Sequence, residues 1–147
     1  MTTEPRILAR GVGLGLVNGI LLSLIMVPAF LAGIPPMPEP PSLAFAQTVL
    51  QRPLPLPVGL LFHLAYVTFW SVVWVACDYP RLRFATALTL GLALWVVALS
   101  VFFPINGWGF LGLAVSPKLI PAALVPHLLF VVFLWGLGKL FFRRQSA

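Results

Sequence analysis

Residues 11–33, 57–77, 84–103 and 119–138 run for 23, 21, 20 and 20 residues without a single Asp, Glu, Lys or Arg. As a helix rising about 1.5 Å per residue, each run is long enough to cross roughly 30 Å of hydrocarbon. Together they take up 84 of the 147 residues. Composition agrees: 61% of the chain is hydrophobic and only 8% is charged, too little to coat a water-facing globule. The expected fold is therefore all-α: an integral membrane four-helix bundle forming one transmembrane domain over residues 1–147. The first run is too long for the apolar core of a signal peptide and no small-x-small cleavage pattern follows it, so it reads as a retained span.

The direction of threading comes from the basic residues. Arg6, Arg10, Arg81, Arg83, Lys139, Arg143 and Arg144 fall on one side of the spans, and Arg52 and Lys118 on the other. Seven against two in short segments places both termini in the cytoplasm and the 34–56 and 104–118 connections outside. The +6 net charge is scattered over ends and loops, so no patch suited to nucleic acid is expected, and the lone Cys77 has no partner for an internal disulfide.

The first outer connection, 34–56, has prolines at both ends: Pro35, Pro36, Pro38, Pro40 and Pro41, then Pro53 and Pro55. Between them Leu43, Ala46 and Leu50, with Phe45 and Val49, recur at helical spacing, so a short interfacial helix capped by Ser42 is predicted. The second connection, Pro104 to Phe110, mixes turn residues with Trp108 and Phe110. It reads as an interfacial loop or a shallow re-entrant turn, its two aromatics suited to the headgroup region. The turn between the second and third spans is short, which makes those spans antiparallel neighbours.

Lipid is as apolar as leucine, so helices in a bilayer associate through close backbone approach and polar contacts. Gly11, Gly15 and Gly19 form a GxxxGxxxG series that Ser23 extends, giving the first span a flat packing face. An internal partner is favoured over a second copy of the chain. Gly91 with Ala87, and Gly136 with Gly138, offer smaller faces on the third and fourth spans.

A shift of 64 residues lays Pro57, Leu60, His63, Leu64, Val67 and Phe69 on Pro121, Leu124, His127, Leu128, Val131 and Phe133. The chain thus reads as two helical hairpins related by a parallel repeat. Both histidines then lie about 9 Å below their entry prolines, at the same depth. Ser23 and Ser100 fall in the same outer third, so a polar layer of His63, His127, Ser23 and Ser100 is expected. The plain role for neutral imidazoles there is interhelical hydrogen bonding, worth around 1 kcal/mol. The rival role is ligation of haem b, a metal or a quinone for electron transfer. A small transporter is a third reading, weakened because Glu4, Glu39 and Asp78 all lie in tails, loops or at a span end. No catalytic serine, thiol or carboxylate pair stands out, so no enzymatic activity is expected. The expected partners are the lipid bilayer and another membrane protein or a second copy of the chain.

These residues carry a resemblance. Leu22-Ser23-Leu24-Ile25-Met26 closing a glycine-rich helix, the proline-bounded outer helix, His63 and Tyr66 in H-x-x-Y, the loop from Phe103 to Leu113, and His127-Leu128-x-Phe130 resemble an uncharacterised family of small bacterial four-helix inner-membrane proteins. The likeness runs from about Arg10 to Leu140. Glycines usual after each histidine in that family are replaced by Val67 and Ser71 in the second span. The resemblance implies a fold and a bacterial inner-membrane location and supplies no activity.

Overall fold

A computed structural model describes residues 1–143; Arg144, one of the seven basic residues counted above, lies outside them. Helix α1 covers Pro5–Leu31, α2 Pro41–Leu50, α3 Leu56–Asp78, α4 Phe84–Ile105 and α5 Leu119–Phe141. Apart from the short α2, each is long and apolar enough to cross a membrane. A proline in the first turn starts α1, α2 and α3, where a missing N–H removes no helical bond. α1 begins well before the charge-free run because Arg6 and Arg10 fit a helix end whose long side chains reach the polar boundary.

The most extensive packing is α1 against α3, followed by α4 against α5 and α1 against α5. Large apolar residues remain exposed on every long helix, among them Leu24, Leu61, Phe69, Val96 and Val132. Helices apolar on both their packed and exposed faces suit a hydrocarbon surround. Leu14, Leu22, Val67, Trp74, Phe130 and Leu134 belong to the larger core, which gathers residues of all four long helices. A second core of Ala44, Leu99, Phe103, Trp108, Leu119 and Ala123 lies at the end carrying α2.

α4 is not uniform. Its turns widen over Ala98–Phe102 into a π-type stretch before Phe103–Ile105 resume the α form. Pro104 sits just beyond; it has no N–H to give and its ring crowds the carbonyl four residues back, which accounts for a widened turn at this place.

Two local expectations are corrected. α2 is capped by the backbone at Pro40, with no side-chain cap, and Ser42 lies inside its first turn. The proline pair Pro40-Pro41 already fixes the entry geometry, leaving the serine one residue too late. α2 then packs down on α3, with Leu43 against Gly59 and Phe45 edge-on to Phe62 and Phe102. Gln47 ties the two proline-rich flanks together, donating to Glu39 at 2.6 Å and accepting from the Leu54 N–H at 3.1 Å. The second correction concerns Trp108, which is only 5% exposed and lies against Phe103 at 5.0 Å between ring centres. Gly107 and Gly109 both take positive φ, so the loop folds back and turns Trp108 inward while Phe110 stays 63% exposed.

Candidate functional site

The glycine series of α1 is consumed inside the chain. A methyl group added at Gly15 would lie 2.6 Å from Thr68 Cα, and one at Gly19 would lie 2.8 Å from a Leu64 methyl, whereas at Gly11 the nearest atoms of Val72 and Val75 stand at 3.5 Å. The seam is therefore tightest at its centre. Gly91 plays the same part in α4, where an added methyl would collide with Val131 Cγ2 and lie 3.3 Å from the His127 carbonyl oxygen. Val67 and Val131, equivalent in the 64-residue repeat, thus each lie over a glycine of the preceding long helix. Gly138 receives the Trp74 ring and Gly136 faces open space.

The histidines sit in the third turn of α3 and of α5. His63 lies beside the Gly19 carbonyl of α1. Its Nε2 is buried and forms no hydrogen bond among the described residues. His127 Nδ1 stands 2.7 Å from the Ala123 carbonyl oxygen one turn back in its own helix. With a proton on Nδ1 that nitrogen donates, and Nε2 is left as an acceptor.

The serines form no hydrogen bond with the histidines among the described residues. Ser23 Oγ donates to the Gly19 carbonyl at 2.8 Å and Ser100 Oγ to the Val96 carbonyl at 2.7 Å, each within its own helix. A serine hydroxyl in an apolar helix finds its nearest acceptor one turn back, and this local bond competes with any layer between helices. Gly19 is the exception that links the two groups, since its carbonyl takes the Ser23 hydroxyl and faces His63.

Asn18, absent from the sequence expectations, is a polar residue that bridges α1 and α5. It is 0% exposed, and its Nδ2 donates to the Phe130 carbonyl of α5 at 3.3 Å, three residues beyond His127. Its Oδ1 is unpartnered among the described residues, as is the buried Thr68 hydroxyl. A signal was present: Asn18 is the only Asn or Gln within the four charge-free runs, and such a side chain in hydrocarbon faces an interior. The glycine pattern around it masked that signal. Ser71, fully buried in α3, bonds the Val67 carbonyl at 2.7 Å.

A second polar group closes the α3–α4 turn. Asp78 forms an ion pair with Arg83 at 2.8 Å and accepts from the Thr86 hydroxyl at 2.6 Å, while the Trp74 indole N–H reaches the Thr86 oxygen at 3.0 Å. Among the described residues this is the only ion pair, and no three His, Cys, Asp or Glu side chains are grouped to hold a metal ion. A cavity of about 310 Å³ lies beside the proline-rich connection and one of about 250 Å³ near Arg81 and Lys139. Neither is lined by a histidine. The chemistry on offer along the seam is hydrogen bonding and close packing between helices.

Compared with protein-family models, with curated proteins and with solved structures, the chain finds no significant match.

Proposed function

We propose that this chain is a non-catalytic, multi-pass protein of a bacterial inner membrane, a four-helix bundle with both termini in the cytoplasm, acting through its lipid- and protein-facing helix surfaces. The family resemblance and the pairing of the two repeat halves as parallel hairpins belong to the same proposal. The observation that carries it is the disposition of polarity. Gly11, Gly15, Gly19, Gly91, Asn18 and Ser71 are turned into helix contacts, while Leu24, Leu61, Phe69, Val96 and Val132 remain exposed. A surface of that kind is stable against lipid or another apolar helix.

The native cysteine provides the test. Cys77 is exposed at the end of α3 that is assigned to the cytoplasmic side. A membrane-impermeant maleimide applied to intact cells should leave Cys77 unlabelled. In a Cys77→Ser background, Pro53→Cys should be labelled in intact cells and Thr3→Cys only after permeabilisation. Labelling of Thr3→Cys from outside would reverse the topology, and recovery of folded protein from the aqueous phase without detergent would overturn the membrane assignment. The electron-transfer alternative has its own readout: a Soret band in purified protein that disappears in His63→Ala and in His127→Ala would replace the non-catalytic reading. Substrate-dependent proton flux in liposomes would replace it with a transporter.

A further inference from the structure

The cavity of about 250 Å³ lies where the α3–α4 turn meets the last turn of α5. Three cations line it: Arg81 from the turn, Lys139 from the helix, and Arg143 just beyond. Leu82, Gly138 and Phe142 supply its apolar lining. The lining is held from behind: Gly138 is pressed against the Trp74 ring, and the Phe142 ring lies tilted against Tyr79 with 5.7 Å between ring centres.

None of the three cations forms an ion pair among the described residues. Asp78, the nearest acid in sequence to Arg81, is already engaged by Arg83 and Thr86. Glu4, at the chain end tied to α3 through the Thr2 N–H and Ala76 carbonyl, makes no ion pair with any of them. The carbonyl end of α5 contributes a partial negative charge of roughly one half, which three full positive charges outweigh. The cavity is therefore an electropositive recess walled by arginine forks and a lysine, the donor set that holds phosphate oxygens.

Its setting distinguishes between sources of phosphate. The recess lies where the apolar helices α3 and α5 end, and Leu140, next to Lys139 in the chain, is 62% exposed, so acyl chains attached to a phosphate there have apolar helix surface to lie along. We infer that this recess binds the phosphate headgroup of an anionic membrane lipid, with Arg81, Lys139 and Arg143 as its ligands. The inference rests on the membrane reading proposed above, and basic pockets between helices on the cytoplasmic side are suited to such headgroups.

The test uses the full chain purified in a neutral detergent, with folding checked by far-ultraviolet circular dichroism. Phosphatidylglycerol is titrated in, and bound lipid is followed by native mass spectrometry and by the thermal midpoint of tryptophan fluorescence. Phosphatidylglycerol should bind and raise the midpoint, while phosphatidylcholine with the same chains and inorganic phosphate alone should not. The triple variant Arg81→Gln, Lys139→Gln, Arg143→Gln should lose at least tenfold in affinity. The charge-matched variant Arg6→Gln, Arg10→Gln, Arg52→Gln should lose less than threefold, and Arg81→Lys with Arg143→Lys, which keeps the charge, should retain binding if the triple variant proves hard to fold. Equal losses in the two triple variants, equal binding of phosphatidylcholine, or an equal response to inorganic phosphate would each overturn the inference. Those results leave the cysteine-labelling outcome untouched, so failure of this site and failure of the membrane reading are separable.

Discussion

The α1–α3 seam and the α4–α5 seam are built from the same contact, a valine of the repeat lying over a glycine, but they reach it differently. Along α1 the glycines bring backbone to backbone, with Gly15 opposite the Cα and carbonyl of Thr68. Along α4 a single glycine, Gly91, receives a side chain, the Val131 methyl. The α4–α5 seam also has a hydrogen bond between helices, from the Trp95 indole to the Ile120 carbonyl at 3.0 Å. No side-chain hydrogen bond joining α1 to α3 meets ordinary geometry among the described residues, so that seam depends on close approach. Where lipid removes the hydrophobic incentive, the interface with the nearest backbones has the least tolerance for added volume.

The largest effect is therefore expected at Gly15. In Gly15→Ala the new methyl meets main-chain atoms that cannot rotate away, so the helices must separate along the seam. A loss of about 3 kcal/mol, the upper part of the range for overpacking, should appear in reversible unfolding in mixed micelles followed by tryptophan fluorescence. A loss below about 1 kcal/mol would mean that the seam is looser than its geometry indicates.

Gly91→Ala comes next, at about 2 kcal/mol. Its main obstacle is one side chain, which makes the cause separable. Adding Val131→Ala should recover part of the loss, with a coupling of about 1 kcal/mol in a double-mutant cycle. Purely additive losses would show that the His127 carbonyl at 3.3 Å, and not the valine, sets the limit.

The difference between the seams also marks what could be read from the sequence. Four spans were legible because the absence of charge over 20 or more residues is a solvation constraint independent of tertiary detail. The α1 glycine face was legible for a related reason, since small residues every four positions share one side of a helix. Depth in the membrane grouped Ser23 and Ser100 with the histidines but left their rotation open, and each serine bonds the carbonyl one turn back in its own helix. Trp108 was misplaced because the two positive-φ glycines beside it reverse the loop, and composition carries no information on which way such a loop turns. Asn18 left a signal, as the only Asn or Gln within the four charge-free runs, but its partner did not: that partner is a main-chain carbonyl, and a carbonyl leaves no mark in a sequence.

Asn18 joins the two halves, and its removal is expected to cost less than a methyl group in either seam. Hydrogen bonds between helices in membranes average well under 1 kcal/mol, and the 3.3 Å bond to Phe130 is not a short one. Asn18→Ala should lose about 1 kcal/mol, through the bond and the volume removed. Asn18→Leu should do no worse, because it also removes the unpartnered Oδ1 from an apolar surround. If Asn18→Leu were the more damaging of the two, the Oδ1 would have a partner in the membrane and the α1–α5 contact would be polar at its centre.

The smallest effects separate a glycine needed for approach from one that is only permitted. At Gly11 the added methyl would meet Val72 and Val75 at ordinary contact distances, and at Gly136 it would meet nothing within 4 Å. Alanine relieves the backbone entropy that glycine loses in a helix, an advantage of up to about 1 kcal/mol in water. Gly136→Ala should therefore be neutral or gain a few tenths of a kcal/mol, and Gly11→Ala should stay within about 0.5 kcal/mol of the parent. Set against Gly15→Ala, these two substitutions hold chemistry constant and vary only what faces the new methyl. A loss at Gly136 comparable to that at Gly15 would require a neighbour on the open face of α5, and would identify that face as the surface on which a second membrane protein or a second copy of the chain sits.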